Sequence, residues 1–128
     1  ILSRVGKKLP YAYAWQTIRE TGAAVAFSSD WPVSPLDPFI GMQSAMTAVQ
    51  RGPNGENQAQ SLMDTIHGFT LAGAHMEFME DRKGMLKEGY LADIAVLNAD
   101  MEHTSPNDIS AVKPVMTICD GRLVFEAA

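Results

Sequence analysis

The residue best placed to do chemistry is Asp30, in the string Ser28-Ser29-Asp30-Trp31-Pro32. It closes a short apolar run, Ala23 to Ser28, whose composition predicts a strand buried on both faces. In α/β barrels, groups that bind metal or move protons emerge just past the C-terminal ends of such strands. Here the carboxylate is followed by an aromatic ring and by a loop carrying Pro32, Pro35 and Pro38. That setting suits a metal ion or a proton. It equally suits plain turn chemistry, because an Asp before a proline-containing loop often caps the local backbone. The residue types by themselves leave both roles open.

The remaining candidates are weaker. His67 and His75 fall on one expected helix, eight residues apart. That spacing separates them by about 12 Å along the axis, too far for one ion to bridge. His103 lies in a polar stretch. All three read as surface or locally hydrogen-bonded histidines. Cys119 lies within an expected strand with no basic neighbour, and reads as a small buried apolar residue rather than a nucleophile. The nucleophile elbow G-x-S-x-G, the P-loop and the dinucleotide fingerprint G-x-G-x-x-G are absent. The eight methionines fall at core spacings, where gap-filling explains them.

Composition narrows the function classes. The chain has 128 residues, 46% of them apolar and 20% charged, as in an ordinary globular protein with a core. Its net charge of -5 provides no basic field for nucleic acid or an anionic membrane surface. No apolar run is long enough to span a bilayer. One cysteine rules out an internal disulfide framework and leaves the compartment open, with the cytoplasm slightly favoured.

The elements that must position Asp30 are legible in outline. A helix is expected from Pro10, with Tyr11, Ala14, Trp15 and Ile18 at helical spacing and Gly22 as its stop. The predicted strand follows, then the proline-dense segment from Trp31 to Phe39 as an ordered loop. A further helix should carry Met42, Ala45, Met46 and Val49 on one face. Arg51 to Gln60 reads as an exposed polar loop. Ser61 and Asp64 resemble a capping box opening a helix with Leu62, Ile66, Phe69, Gly73 and Met76 on its apolar side. From about Arg82 the pattern turns to strands. Asp93 to Asn98 is strand-like, and two β-prone runs joined by Asp120-Gly121 predict a hairpin.

In this order the motifs resemble the metal-dependent amidohydrolases, and more narrowly amidohydrolase family 3, the branch with N-substituted formamide deformylase-like enzymes. Phe27-Ser28-Ser29-Asp30-Trp31-Pro32-Val33, with Asp37-Pro38-Phe39 after it, is similar to that branch's last barrel strand and loop; Ser28 stands where Gly is common. Ile66-His67-Gly68-Phe69-Thr70 resembles a family helix that usually has Tyr at the position of Phe69. Gly84-x-Leu86-x-x-Gly89-x-x-Ala92-Asp93 matches a family signature, and Thr117 with Asp120-Gly121-Arg122 resembles its closing hairpin.

The resemblance implies an α+β fragment: the last strand and helices of a (β/α)8 barrel in residues 1–80, then the C-terminal strands of a small composite β-sandwich in residues 81–128. It implies a parent that hydrolyses amide or cyclic amide C–N bonds with metal-activated water. Asp30 would be both metal ligand and catalytic proton carrier, and Trp31 and Phe39 would contact a small-molecule substrate. The cofactor implied is a divalent ion, with zinc favoured. The family's His-x-His pair and its other histidine ligands have no counterpart in this chain. By itself the chain is therefore expected to be inactive, to bind little or no metal and to self-associate. The rival expectation is a non-catalytic regulatory or interaction domain derived from an amidohydrolase tail.

Overall fold

The structure is a computed structural model describing residue 4, residues 6–49 and residues 51–128. Four short α-helices lie in the first part of the chain: α1 (Trp15–Glu20), α2 (Pro38–Met46), α3 (Leu62–Phe69) and α4 (Leu71–Met76). A three-stranded antiparallel sheet follows, made of β1 (Ile94–Leu97), β2 (Pro114–Cys119) and β3 (Arg122–Glu126), in the order β1-β2-β3. Short 3-10 turns cover Gly6–Tyr11, Met101–His103 and Pro106–Ala111.

The β part forms where the sequence predicts it. β2 and β3 pair with Cys119 opposite Arg122, so the connection is the two residues Asp120 and Gly121. Both have positive φ, 50° and 74°, as a type I′ hairpin turn requires. Asp93 Oδ1 accepts from the Asp120 N–H at 2.9 Å, and the Gly121 N–H donates to Ala92 O at 3.1 Å. The Ala92-Asp93 signature therefore acts as a clasp on the hairpin turn.

The first part departs from expectation in several places. The helix expected from Pro10 to Gly22 is interrupted: Tyr13 adopts φ 58°, and α1 begins only at Trp15. Ala23 to Ser28 is extended but forms no strand, because no strand lies alongside it among the described residues. Burial on both faces is also corrected, since Val25 is buried while Ala23 and Ala24 are exposed. Pro38 does not prolong the loop but opens α2 at its first turn, with Asp37 as N-cap accepting from the Phe39 N–H at 3.0 Å. That helix ends before Val49, which is exposed. The helix expected across Leu62 to Met76 is broken at Thr70, whose φ of -127° and ψ of -89° lie outside helical geometry. Its fully buried positions are the small residues Thr65, Gly68, Ala72 and Ala74, while Met76 is exposed. Cys119 is exposed at the end of β2, not buried.

The loop from Arg51 to Gln60 is not an exposed tract. Gln58 is fully buried, and its Oε1 accepts from the N–H groups of Gln16 and Thr17 at 3.0 and 3.2 Å. A glutamine some forty residues away thus takes the role of N-cap for α1, whose own N-cap residue Ala14 offers no side-chain bond. Gln60, also buried, donates to Gln58 O at 2.9 Å and accepts from Arg19 Nε at 3.0 Å.

One buried cluster joins the two parts. Phe39 and Met42 of α2 meet Ile109 and Val112, with Ile66, Phe69, Leu97 and Met101 packed around them. The core thus lies between the helices and the edge of the sheet carrying β1.

Candidate functional site

Asp30 lies at a turn just past the extended segment, where the sequence places it. It is exposed and has φ 51°, the left-handed region that few residues other than Gly, Asn and Asp enter. Its backbone is held on both sides. The Asp30 N–H donates to Ser28 Oγ at 3.1 Å, and Asp30 O accepts from the Val33 N–H at 2.9 Å. A parallel bond runs from the Ser34 N–H to Ser29 O at 3.1 Å. The backbone thus makes the expected turn, and the carboxylate has no hydrogen-bond partner among the described residues.

The segment leading to Asp30 is seated by α3. The Phe27 N–H donates to Gly68 O at 3.0 Å. Gly68 permits that approach, since a Cβ there would lie 2.5 Å from Phe27 Cδ2 and 3.2 Å from Val25 O. Phe27 then stacks edge-on with Trp15, centroids 5.4 Å apart, and lies tilted against Phe69 at 5.5 Å. A cleft of about 340 Å³ opens beside this row, bordered by Ser28, Ser29, Ser34 and Gly41. Neither Gly68 nor the Asp37 cap is singled out as positioning this region by sequence reasoning. The Asp-Pro pair at 37–38 does carry a legible signal, because it is a helix N-cap followed by a proline at N1.

The other expected site residues are placed differently from one another. Trp31 is 66% exposed, next to Asp30 in the turn. Phe39 is 8% exposed and packs in the core with Met42, Ile109 and Val112. Asp37 ends the proline loop and receives Lys113 Nζ at 2.6 Å. That hydrogen bond, ahead of burial, which acts the other way, holds the Asp37 carboxyl below its ordinary value.

The histidines do not gather. His75 Nδ1 lies 3.1 Å from Glu80 Oε1, and His103 Nδ1 lies 2.8 Å from Asp100 Oδ2, both at the surface. His67 borders a cleft with His75 and Glu80, yet among the described residues no three His, Cys, Asp or Glu are placed to hold a metal ion. Asp30 offers one carboxylate where a catalytic zinc takes three protein ligands. The donors among the described residues do not by themselves fit such an ion.

Residues 2–125 match the family model described as amidohydrolase family, and the chain belongs to that family. YtcJ of Bacillus subtilis (strain 168) is 31% identical over 132 aligned residues, covering 98% of this chain and 25% of that protein. The 5-methylthioadenosine/S-adenosylhomocysteine deaminase of Symbiobacterium thermophilum is 30% identical over 120 residues, 85% of this chain and 28% of the deaminase. The crystal structure of an amidohydrolase from Thermotoga maritima MSB8 superimposes with a TM-score of 0.70 at 23% identity, covering 90% of this chain and 26% of that one. The chain thus spans about a quarter of the length of the relatives it matches.

Proposed function

We propose that these residues form the C-terminal portion of a metal-dependent hydrolase that cleaves amide or cyclic amide C–N bonds. Residues 1–80 would complete a barrel and residues 81–128 a composite β-sandwich. The observation that carries this reading is Asp30: an exposed carboxylate at a left-handed turn, its backbone bonded on both sides. Support also comes from the family membership and from the deaminase among the relatives, since deamination is itself cleavage of a C–N bond.

The chemistry asks two things of such a group. Water adding to the carbonyl or imine carbon must lose a proton, and the departing nitrogen must gain one. A carboxylate with both oxygens free can accept the first and return it as the second. A divalent ion, zinc favoured, would polarise the substrate and acidify the water when bound. Its remaining ligands would come from outside these residues, because no three donor side chains gather among the described residues. Trp31 would offer its exposed face to a small-molecule substrate. Phe39, expected beside it, would act from the core by anchoring the start of α2 under the loop.

The test is Asp30→Asn in the whole protein, assayed against formamides, acyl-amino acids and cyclic amides. Turnover should fall by at least about 10²-fold, the low end for a general base, with the fold intact. Near-normal turnover would remove Asp30 from the chemistry. The second reading, a non-catalytic interaction domain, is favoured by the lack of a three-donor cluster among the described residues. It predicts no turnover by the whole protein on any of these substrates.

A further inference from the structure

We infer that Ser28 is a positioning residue for Asp30, an inference that rests on the catalytic reading above. Asp30 occupies φ 51°, a conformation that costs a side-chain-bearing residue energy unless the surroundings hold it. Its carboxylate has no hydrogen-bond or ion-pair partner among the described residues, so the side chain does not secure its own place. The backbone does. On the C-terminal side the Val33 N–H binds Asp30 O at 2.9 Å, a bond any β-turn could supply. On the N-terminal side the acceptor is a side chain, Ser28 Oγ, 3.1 Å from the Asp30 nitrogen.

The Ser28 hydroxyl is thus set into the frame that carries the carboxylate. Val25 and Phe27 turn toward α3, Val25 being buried and Phe27 stacked on Phe69. Ser28 itself is exposed and borders the cleft beside that packing without being buried in it. Replacing it should leave the core untouched and loosen only the turn. A carboxylate that samples more orientations spends less time in line with the water and the leaving nitrogen. The loss should fall on kcat, with substrate affinity little changed.

The experiment uses the whole protein with three substitutions, Ser28→Ala, Ser28→Thr and Asp30→Asn, on one amide substrate that the wild type turns over. Ser28→Ala should lower kcat by about threefold to tenfold with KM within about twofold of wild type. Ser28→Thr keeps the hydroxyl and should restore kcat. Thermal unfolding and circular dichroism should be alike in all three, because the site is exposed. Wild-type kcat in Ser28→Ala, with Asp30→Asn inactive, would overturn the role of Ser28 and leave the catalytic reading standing. So would a Thr variant as slow as the Ala variant. Full activity in Asp30→Asn would overturn the catalytic reading, and this inference with it.

Discussion

Asp30 has its backbone held on both sides, and its carboxylate has no hydrogen-bond partner among the described residues. Gln58 is the opposite kind of residue. It is fully buried, and every polar atom of its side chain is used: Oε1 by two α1 N–H groups, Nε2 by Thr17 Oγ1 at 2.9 Å and Glu56 O at 3.3 Å. Gln58→Leu keeps the volume but strands those two N–H groups at the start of α1. A stability loss of about 1–3 kcal/mol is expected. A lowered urea midpoint with unchanged slope would register it; an unchanged midpoint would mean that water or another group caps α1 equally well. The turn at Asp30 is legible from sequence because it stands just before a proline-containing loop at the end of an apolar run. Gln58 is not. Nothing in a polar tract of Asn, Glu and Gln marks which amide folds inward, since its burial is decided by a helix far away in the chain.

Among the elements, the hairpin and the strand expected over Asp93 to Asn98 formed as read, whereas the helix expected from Pro10 and the strand expected over Ala23 to Ser28 did not. The Asp120-Gly121 hairpin and the Ser61 cap are specified within a few residues, and both are present: Ser61 Oγ accepts from the Asp64 N–H at 3.1 Å. The capping box is nevertheless incomplete, because Asp64 is too short to reach back to the Ser61 N–H and bonds the Ser61 hydroxyl instead, at 2.7 Å. Ala23 to Ser28 has strand composition, yet a strand exists only with a neighbour to pair with. The start of α2 adds a pH dependence. Asp37 caps that helix and binds Lys113, which ties the first part of the chain to the segment before β2. Its folded-state carboxyl sits below its ordinary value, chiefly through that hydrogen bond. The stabilisation is therefore complete above about pH 3.9, where the unfolded aspartate is ionised. It is lost as pH falls through the lower folded value. Asp37→Asn keeps a cap but not the charge, so the stability gap between wild type and variant should be open near neutral pH and close in acid. Urea midpoints across that range measure it; a gap independent of pH would mean that the Lys113 contact carries no net energy.

At the scale of the whole molecule, the chain is one buried cluster with much apolar surface around it. Leu123, Val124 and Phe125 of β3 are all about half exposed, on both faces of a strand whose outer edge pairs with nothing among the described residues. Ala23 to Ser29 likewise has backbone groups with no ladder. Edges and patches of this kind recruit other chains. The net charge of -5 opposes that only weakly, because salt screens it over about 8 Å. The 128-residue chain by itself should sediment as dimers or larger species at micromolar concentration; a sharp monomer would mean that these surfaces are adequately covered within one copy. In the proposed function labour would be divided: this chain would contribute Asp30 and its frame, and the metal's other ligands would lie elsewhere in a longer hydrolase. The most direct test compares the metal-loaded whole protein with the 128-residue chain by itself, side by side, for amine or ammonia release from the same amide panel. The account predicts turnover by the whole protein and none by the chain above free zinc. Turnover by the purified chain, abolished by Asp30→Asn, or none by the whole protein on any C–N substrate, would contradict it.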